Sequence, residues 1–159
     1  MALRVLGIDH GSKEKLVMDC GAEAFIDITK HDDKSIGEEV KKLTGGLGAS
    51  AVIVCTASNK AYAQAISMLR FGGTLVCVGM PEGDLVPIAR AFPSVLVQKQ
   101  LRIVGSAVGN NKDALEVLEF AARGLVKVHY RIEKMEKLTE VFKEMSEMKI
   151  QGRVVLDLE

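Results

Sequence analysis

Short apolar runs rich in valine, isoleucine and leucine recur along this chain, and segments with helical spacing separate them. No other feature limits the fold as tightly. An apolar run of about 4–8 residues without polar alternation suits a strand covered on both faces, and such strands belong to parallel sheets. Parallel neighbours need a crossover, usually a helix, so the alternation predicts a parallel sheet with helices on both faces. The predicted strands are Arg4 to Ile8, closing on Asp9; Ala24 to Asp27; Ala51 to Cys55; Thr74 to Val78; Leu101 to Val104; Val128 to Ile132; and Arg153 to Leu158.

Helices are expected between them. The first covers about Lys13 to Cys20, after the polar turn His10-Gly11-Ser12, and Gly21 stops it. The second runs from Ser35 to Leu43, with Ser35 as cap and Glu38 completing a capping box. The third starts on an Asn59 cap, carries Ala61, Ala65, Ile66 and Leu69 on its apolar face, includes Tyr62, and ends at Gly72-Gly73. Two more cover Lys112 to Arg123, stopped by Gly124, and Leu138 to Met148. Gly79 to Gly83 reads as a turn, and the mixed segment after it has no assigned element. The 159 residues hold no repeat, linker or low-complexity tract and read as one continuous α/β domain, 1–159.

Charge and composition narrow the partners. Lys and Arg number 21 and Asp and Glu number 21, so the net charge is zero. That disfavours nucleic acid or an anionic membrane as the main partner. No apolar run approaches the roughly 18 residues of a membrane span, and Met1-Ala2-Leu3-Arg4 lacks a signal-peptide core. Cys20, Cys55 and Cys77 are far apart, which fits a reduced, cytoplasmic protein. Cys55 and Cys77 lie in apolar runs and are expected in the core, as are Met145 and Met148 on the last helix, with Met135 upstream. His10, His31 and His129 share no metal-ligand spacing, so no residue is nominated as a metal ligand, and none as catalytic. The hydrolase and phosphate-loop signatures GxSxG and GxxxxGK[ST] are absent.

In parallel sheets of this kind, ligands bind beyond the carboxyl ends of the strands. Asp9 stands at that end of the first strand and suits either of two roles: accepting hydrogen bonds from ribose hydroxyls, or capping a turn. Asp27 ends the second strand and reads as a turn residue. Gly46-Leu47-Gly48-Ala49-Ser50-Ala51 matches GxGxxA, but it follows a helix and opens a strand. The dinucleotide fingerprint needs the reverse order, so this segment reads as a tight loop.

The order of Arg4-Val5-Leu6-Gly7-Ile8-Asp9, Gly79-Met80-Pro81, Ile103-Val104-Gly105-Ser106, Ala122 to Lys127 and Gly152-Arg153-Val154-Val155 resembles the C-terminal half of zinc-dependent medium-chain alcohol dehydrogenases. The fungal fermentative type is the most similar, and the resemblance covers essentially the whole chain. It implies a three-layer, Rossmann-like sheet and NAD as cofactor. Asp9 matches the adenosine-ribose aspartate. Lys13 matches the lysine that reaches the same ribose, across a turn one residue shorter. Val78, and the backbone around Ser106 and Val108, match strand ends that hold the nicotinamide and its carboxamide. Arg153 matches the arginine that pairs with the pyrophosphate. Leu101 to Gly109 resembles the family's subunit-pairing edge.

The departures are equally specific. The zinc ligands of the family, and its first strand, GxGxxG turn and first helix, have no counterpart in these residues. Met1 resembles an internal methionine, so the sequence reads as a truncated cofactor domain, with zinc belonging to the parent family only. In strand order 3-2-1-4-5-6 the absent strand is central. The two edges beside it are expected either to close on one another or to recruit a partner, so self-association is expected. The parent reaction would be primary alcohol plus NAD giving aldehyde plus NADH. The chain alone is expected to be inactive, with weak or no NAD binding. The alternatives are a non-catalytic nucleotide-binding or self-associating module, or a fragment of a related quinone or enone reductase.

Overall fold

The computed structural model describes residues 3–158. Met1 and Ala2, half of the segment read for a signal peptide, lie outside the described residues, as does Glu159. The strands are β1 (Leu6–Asp9), β2 (Ala24–Asp27), β3 (Ala49–Val54), β4 (Leu69–Cys77), β5 (Arg102–Gly105), β6 (Tyr130–Lys134) and β7 (Arg153–Asp157). The helices are α1 (Glu14–Asp19), α2 (Ser35–Leu43), α3 (Asn59–Met68), α4 (Pro93–Lys99), α5 (Asn111–Ala122) and α6 (Leu138–Ser146).

Every strand pairing is parallel, as the unalternating apolar runs require. Among the described residues the ladders form three groups: β1–β2, β3–β4–β5 and β6–β7. No ladder joins β1 to β3. Direct closure of the two halves, one of the two outcomes expected from sequence, is therefore not what this chain does.

Side-chain packing joins the halves instead. Ile26 of β2, Ile36 and Val40 of α2 and Met68 of α3 are buried together. Leu6 and Ile8 of β1 pack on them from one side, Ala49 and Val52 of β3 from the other. The approach of α2 to α3 is close: a Cβ on Gly37 would lie 2.6 Å from Ser67 Oγ and 3.2 Å from the Ser67 carbonyl oxygen. Packed helices sit about 8–10 Å apart, whereas paired strands sit about 4.8 Å apart. A helix layer already in contact keeps the strands beneath it from closing. A second cluster, Val54, Tyr62, Ala65, Ile66, Leu69 and Leu75, fills the space between α3 and the β3–β4–β5 sheet.

Local chemistry differs from expectation at several ends. The reciprocal cap of α2 sits one turn earlier than Ser35/Glu38: Asp32 Oδ1 accepts the Ser35 amide at 2.7 Å, and Ser35 Oγ accepts the Asp32 amide at 2.9 Å. Ser58 rather than Asn59 caps α3, accepting the Ala61 amide. That helix stops at Met68, and Leu69 already belongs to β4. The register with β3 jumps from Ala49↔Leu69 to Ala51↔Thr74, so Gly72-Gly73 lies in an irregular stretch of strand instead of ending the helix. Helix α4 went unassigned, although Pro93 at its first turn marks it.

The core is also smaller than composition suggests. Cys55 is exposed, and Cys77 is half-buried against the second cluster. Met135, Met145 and Met148 are exposed rather than packed, and Val141 is the one buried residue of α6. Ile53 on β3 and Leu115 and Leu118 on α5 are exposed as well. Among the described residues no helix is long and apolar enough to cross a membrane.

The α2–α3 contact makes a testable demand. Gly37→Leu is expected to lower the unfolding free energy in a urea titration by about 1–3 kcal/mol, the usual cost of overpacking. Met145→Ala, at an exposed site, is expected to stay within about 0.5 kcal/mol.

Candidate functional site

Asp9 ends β1, and a single turn of tight helix over Gly11–Lys13 follows it. That turn brings Lys13 back over the carboxylate: Lys13 Nζ lies 3.6 Å from Asp9 Oδ2. The His10 amide donates to Asp9 Oδ1 at 2.7 Å, and the Lys13 amide donates to the His10 carbonyl at 2.9 Å. The Asp9 side chain remains 41% exposed. A solvent-facing carboxylate beside an ammonium offers acceptors and a donor together, which suits a vicinal diol. Sequence reading nominated both residues, and the fold brings them together.

A second group of strand ends lies on the β3–β4–β5 sheet. The amides of Val78 and Gly79 both donate to the Val54 carbonyl, at 3.1 and 2.9 Å. The Ser106 amide donates to the Cys77 carbonyl at 2.9 Å, which holds the exit of β5 against that of β4. The fit is close enough that a Cβ on Gly79 would lie 2.3 Å from the Thr56 carbonyl oxygen. Tyr62 reaches across from α3 and donates its hydroxyl to the Gly79 carbonyl. Burial and the neighbouring Cys77 push its phenol above the usual range. Sequence reading noted Tyr62 without giving it this part. Val78 is partly exposed at this end, and the Val108 side chain stands almost fully in solvent beyond β5.

Arg153 opens β7, where its amide donates to the His129 carbonyl at 2.8 Å. Two residues earlier, Gln151 Nε2 donates to the Ser12 carbonyl at 3.0 Å. This bond spans 139 positions and ties the entry of β7 to the turn that carries Lys13. Gln151 was not nominated from sequence, and no local pattern marks it, since its partner is remote.

Asp27 holds a different environment from Asp9. Its Oδ1 accepts the Thr29 amide at 2.9 Å, the Thr29 hydroxyl at 2.7 Å and the Gly11 amide at 3.1 Å. These bonds, those from Thr29 foremost, hold its carboxyl below the usual carboxylate range. Asp32 is lowered in the same way, chiefly by the Ser35 amide and hydroxyl. An open cleft between the starts of α2 and α3 is lined by Asp32, Asp33, Lys34, Lys60 and Arg90. There Lys60 Nζ lies 3.8 Å from Asp33 Oδ1, Gln64 Nε2 donates to the same oxygen at 2.8 Å, and Arg90 donates to the Asp33 carbonyl at 3.0 Å.

Zinc does not fit the described residues. Among them no three His, Cys, Asp or Glu side chains converge on one point.

Comparison with known proteins places this geometry in context. The family model for zinc-binding dehydrogenases matches residues 1–123. Alcohol dehydrogenase 2 of Emericella nidulans is 61% identical over 99% of this chain and 44% of its own length. The alcohol dehydrogenase of Schizosaccharomyces pombe is 44% identical, again over 99% of this chain and 44% of its own length. The crystal structure of an NAD-dependent alcohol dehydrogenase superposes with a TM-score of 0.84 at 25% identity, covering 98% of this chain and 44% of that one. The chain thus spans less than half the length of the curated relatives it matches.

The lowered carboxyls give a pH prediction with a definite sign. Asp27 and Asp32 titrate lower in the folded chain than in the unfolded one, where about 3.9 is usual. Their contribution to stability is fully present above that value and is lost as pH falls through the folded values. Thermal melts are expected to give a flat Tm from neutral pH to about 5 and a fall below about 4. The fall is expected to be shallower in Asp27→Asn.

Proposed function

This chain belongs to the zinc-binding dehydrogenase family, and we propose that it forms the cofactor-binding part of an NAD-dependent alcohol dehydrogenase of the fungal fermentative kind. The observation that carries this reading is the exposed Asp9 carboxylate at the end of β1 with Lys13 Nζ 3.6 Å away. In this reading Asp9 accepts the adenosine-ribose hydroxyls, Lys13 donates to the same ribose, and the negative charge of Asp9 repels the 2′-phosphate of NADP. Val78 and the backbone around Ser106 and Val108 flank the nicotinamide and its carboxamide. Arg153 offers its planar fork of donors to the pyrophosphate, near the turn to which Gln151 ties it.

NAD when bound supplies a hydride acceptor, and the whole protein would take a hydride from a primary alcohol to give the aldehyde. The 159 residues contain no GxGxxG turn between a strand and a helix, and the described residues assemble no zinc ligands. By itself this segment is therefore expected to bind NADH only weakly and to catalyse nothing. The likeness to proteins named alcohol dehydrogenases favours that branch over quinone or enone reductases. A cytoplasmic setting is part of this reading, and the three cysteines form no disulfide with one another.

A second reading has its own observation. The facing edges of β1 and β3, and the outer edge of β5, carry no partner strand among the described residues. Open parallel edges favour self-association, so the segment is also proposed as a self-associating, non-catalytic module. Sedimentation velocity is expected to show concentration-dependent dimers or larger species. A monomer throughout would remove this reading.

Calorimetric titration with NADH, and with NADPH as control, tests the first. Binding of NADH alone, weakened about tenfold or more by Asp9→Ala, is the expected outcome. Binding of neither up to about 1 mM would assign the nucleotide site to residues outside this segment.

A further inference from the structure

Two aspartates stand side by side at the ends of paired strands, Asp9 against Asp27 in the β1–β2 register. The fold gives them unlike surroundings. The Asp27 side chain is 13% exposed and accepts three hydrogen bonds, while Asp9 is 41% exposed and meets one amide and Lys13. One of the bonds to Asp27 crosses between the strands: the Gly11 amide, in the turn after β1, donates to Asp27 Oδ1 at 3.1 Å.

Gly11 is a glycine for the same reason. Its φ is not among the positive values of the chain, so conformational freedom does not explain it. A Cβ there would lie 2.3 Å from Asp27 Oδ2 and 3.0 Å from Asp27 Cγ. The carboxylate fills the space that a side chain would need. Asp27 cannot easily swing away, because Thr29 holds the same oxygen through its amide and its hydroxyl.

We propose that Asp27 is a positioning residue: by gripping the Gly11 amide it fixes the turn that sets Lys13 over Asp9, and so keeps the Asp9 carboxylate free to meet the ribose. The proposal rests on the nucleotide reading of Asp9. A carboxylate-to-amide bond is charge-assisted and stronger than a neutral one. It grips the turn at Gly11, and Gln151 grips it one residue later at Ser12. Asp27 touches no cofactor atom in this scheme and acts through Asp9 and Lys13.

The test measures Gly11 amide exchange by NMR and the affinities for NADH and NADPH in the whole chain. In Asp27→Ala, Gly11 exchange is expected to quicken about tenfold while the amide of Leu75 in the core keeps its rate. NADH affinity is expected to fall about tenfold, with NADPH again showing no binding. Asp27→Asn retains an acceptor oxygen and is expected to restore both properties. Gly11→Ala displaces the carboxylate and is expected to match Asp27→Ala, with the double variant no worse than either. Should Asp27→Ala fail to fold, Gly11→Ala and Asp27→Asn carry the same comparison. Unchanged Gly11 exchange, unchanged NADH affinity, or additive losses in the double variant would each overturn the proposal. If the parent chain binds neither nucleotide, the NAD reading fails separately. Gly11 exchange and the additivity of the two substitutions then still decide whether Asp27 holds the turn.

Discussion

The contact of α2 with α3 is the interaction on which the rest of this structure depends. Ile36, Val40 and Met68 fill it, and Gly37 lets Ser67 approach. Strands β1 and β3 share no backbone bonds, so the half that carries Asp9 and Lys13 is positioned against the half that carries Val78 and Ser106 through side chains. Apolar packing of this kind is strong but non-directional. It holds two sheets against a common helix layer without setting a strand register between them.

Directional bonds fix the strand ends, and one of them, from Gln151 to Ser12, crosses between strand groups. Asp27 grips Gly11, Gln151 reaches Ser12, Tyr62 reaches the Gly79 carbonyl, and Val54 accepts two amides from the exit of β4. These bonds leave Asp9 as the exposed acid at the β1–β2 end, while its register partner is occupied. Two residues of one type at equivalent strand positions thus differ in chemistry because one is surrounded by donors and the other is not. The division suits binding, since an acid that holds a turn has few lone pairs left for a ligand.

Much of the fold was legible because its causes are local. Unalternating apolar runs marked all seven parallel strands, and Gly21 and Gly124, both at positive φ, stop α1 and α5 as expected. The misplaced ends also have local reasons. Ser58 competes with its neighbour Asn59 for one cap, and Asp32 and Ser35 cap each other one turn before the expected pair. The exposed Cys55, Met145 and Met148 went wrong for a different reason. An apolar residue is buried only if another element covers it, and no local residue pattern reveals that in α6 only Val141 is so covered.

The candidate site divides along the same line. The parallel α/β class, the place of Asp9 at a strand end and the polar turn His10-Gly11-Ser12 after it were readable from the residues themselves. Each depends on residues a few positions apart. It took the folded arrangement to bring Asp27 across to Gly11 and Gln151 to Ser12, to leave Val108 in solvent, and to keep β1 from pairing with β3. Those outcomes depend on contacts between remote segments. Such contacts form only after a helix layer has brought the segments together, so no local pattern encodes them.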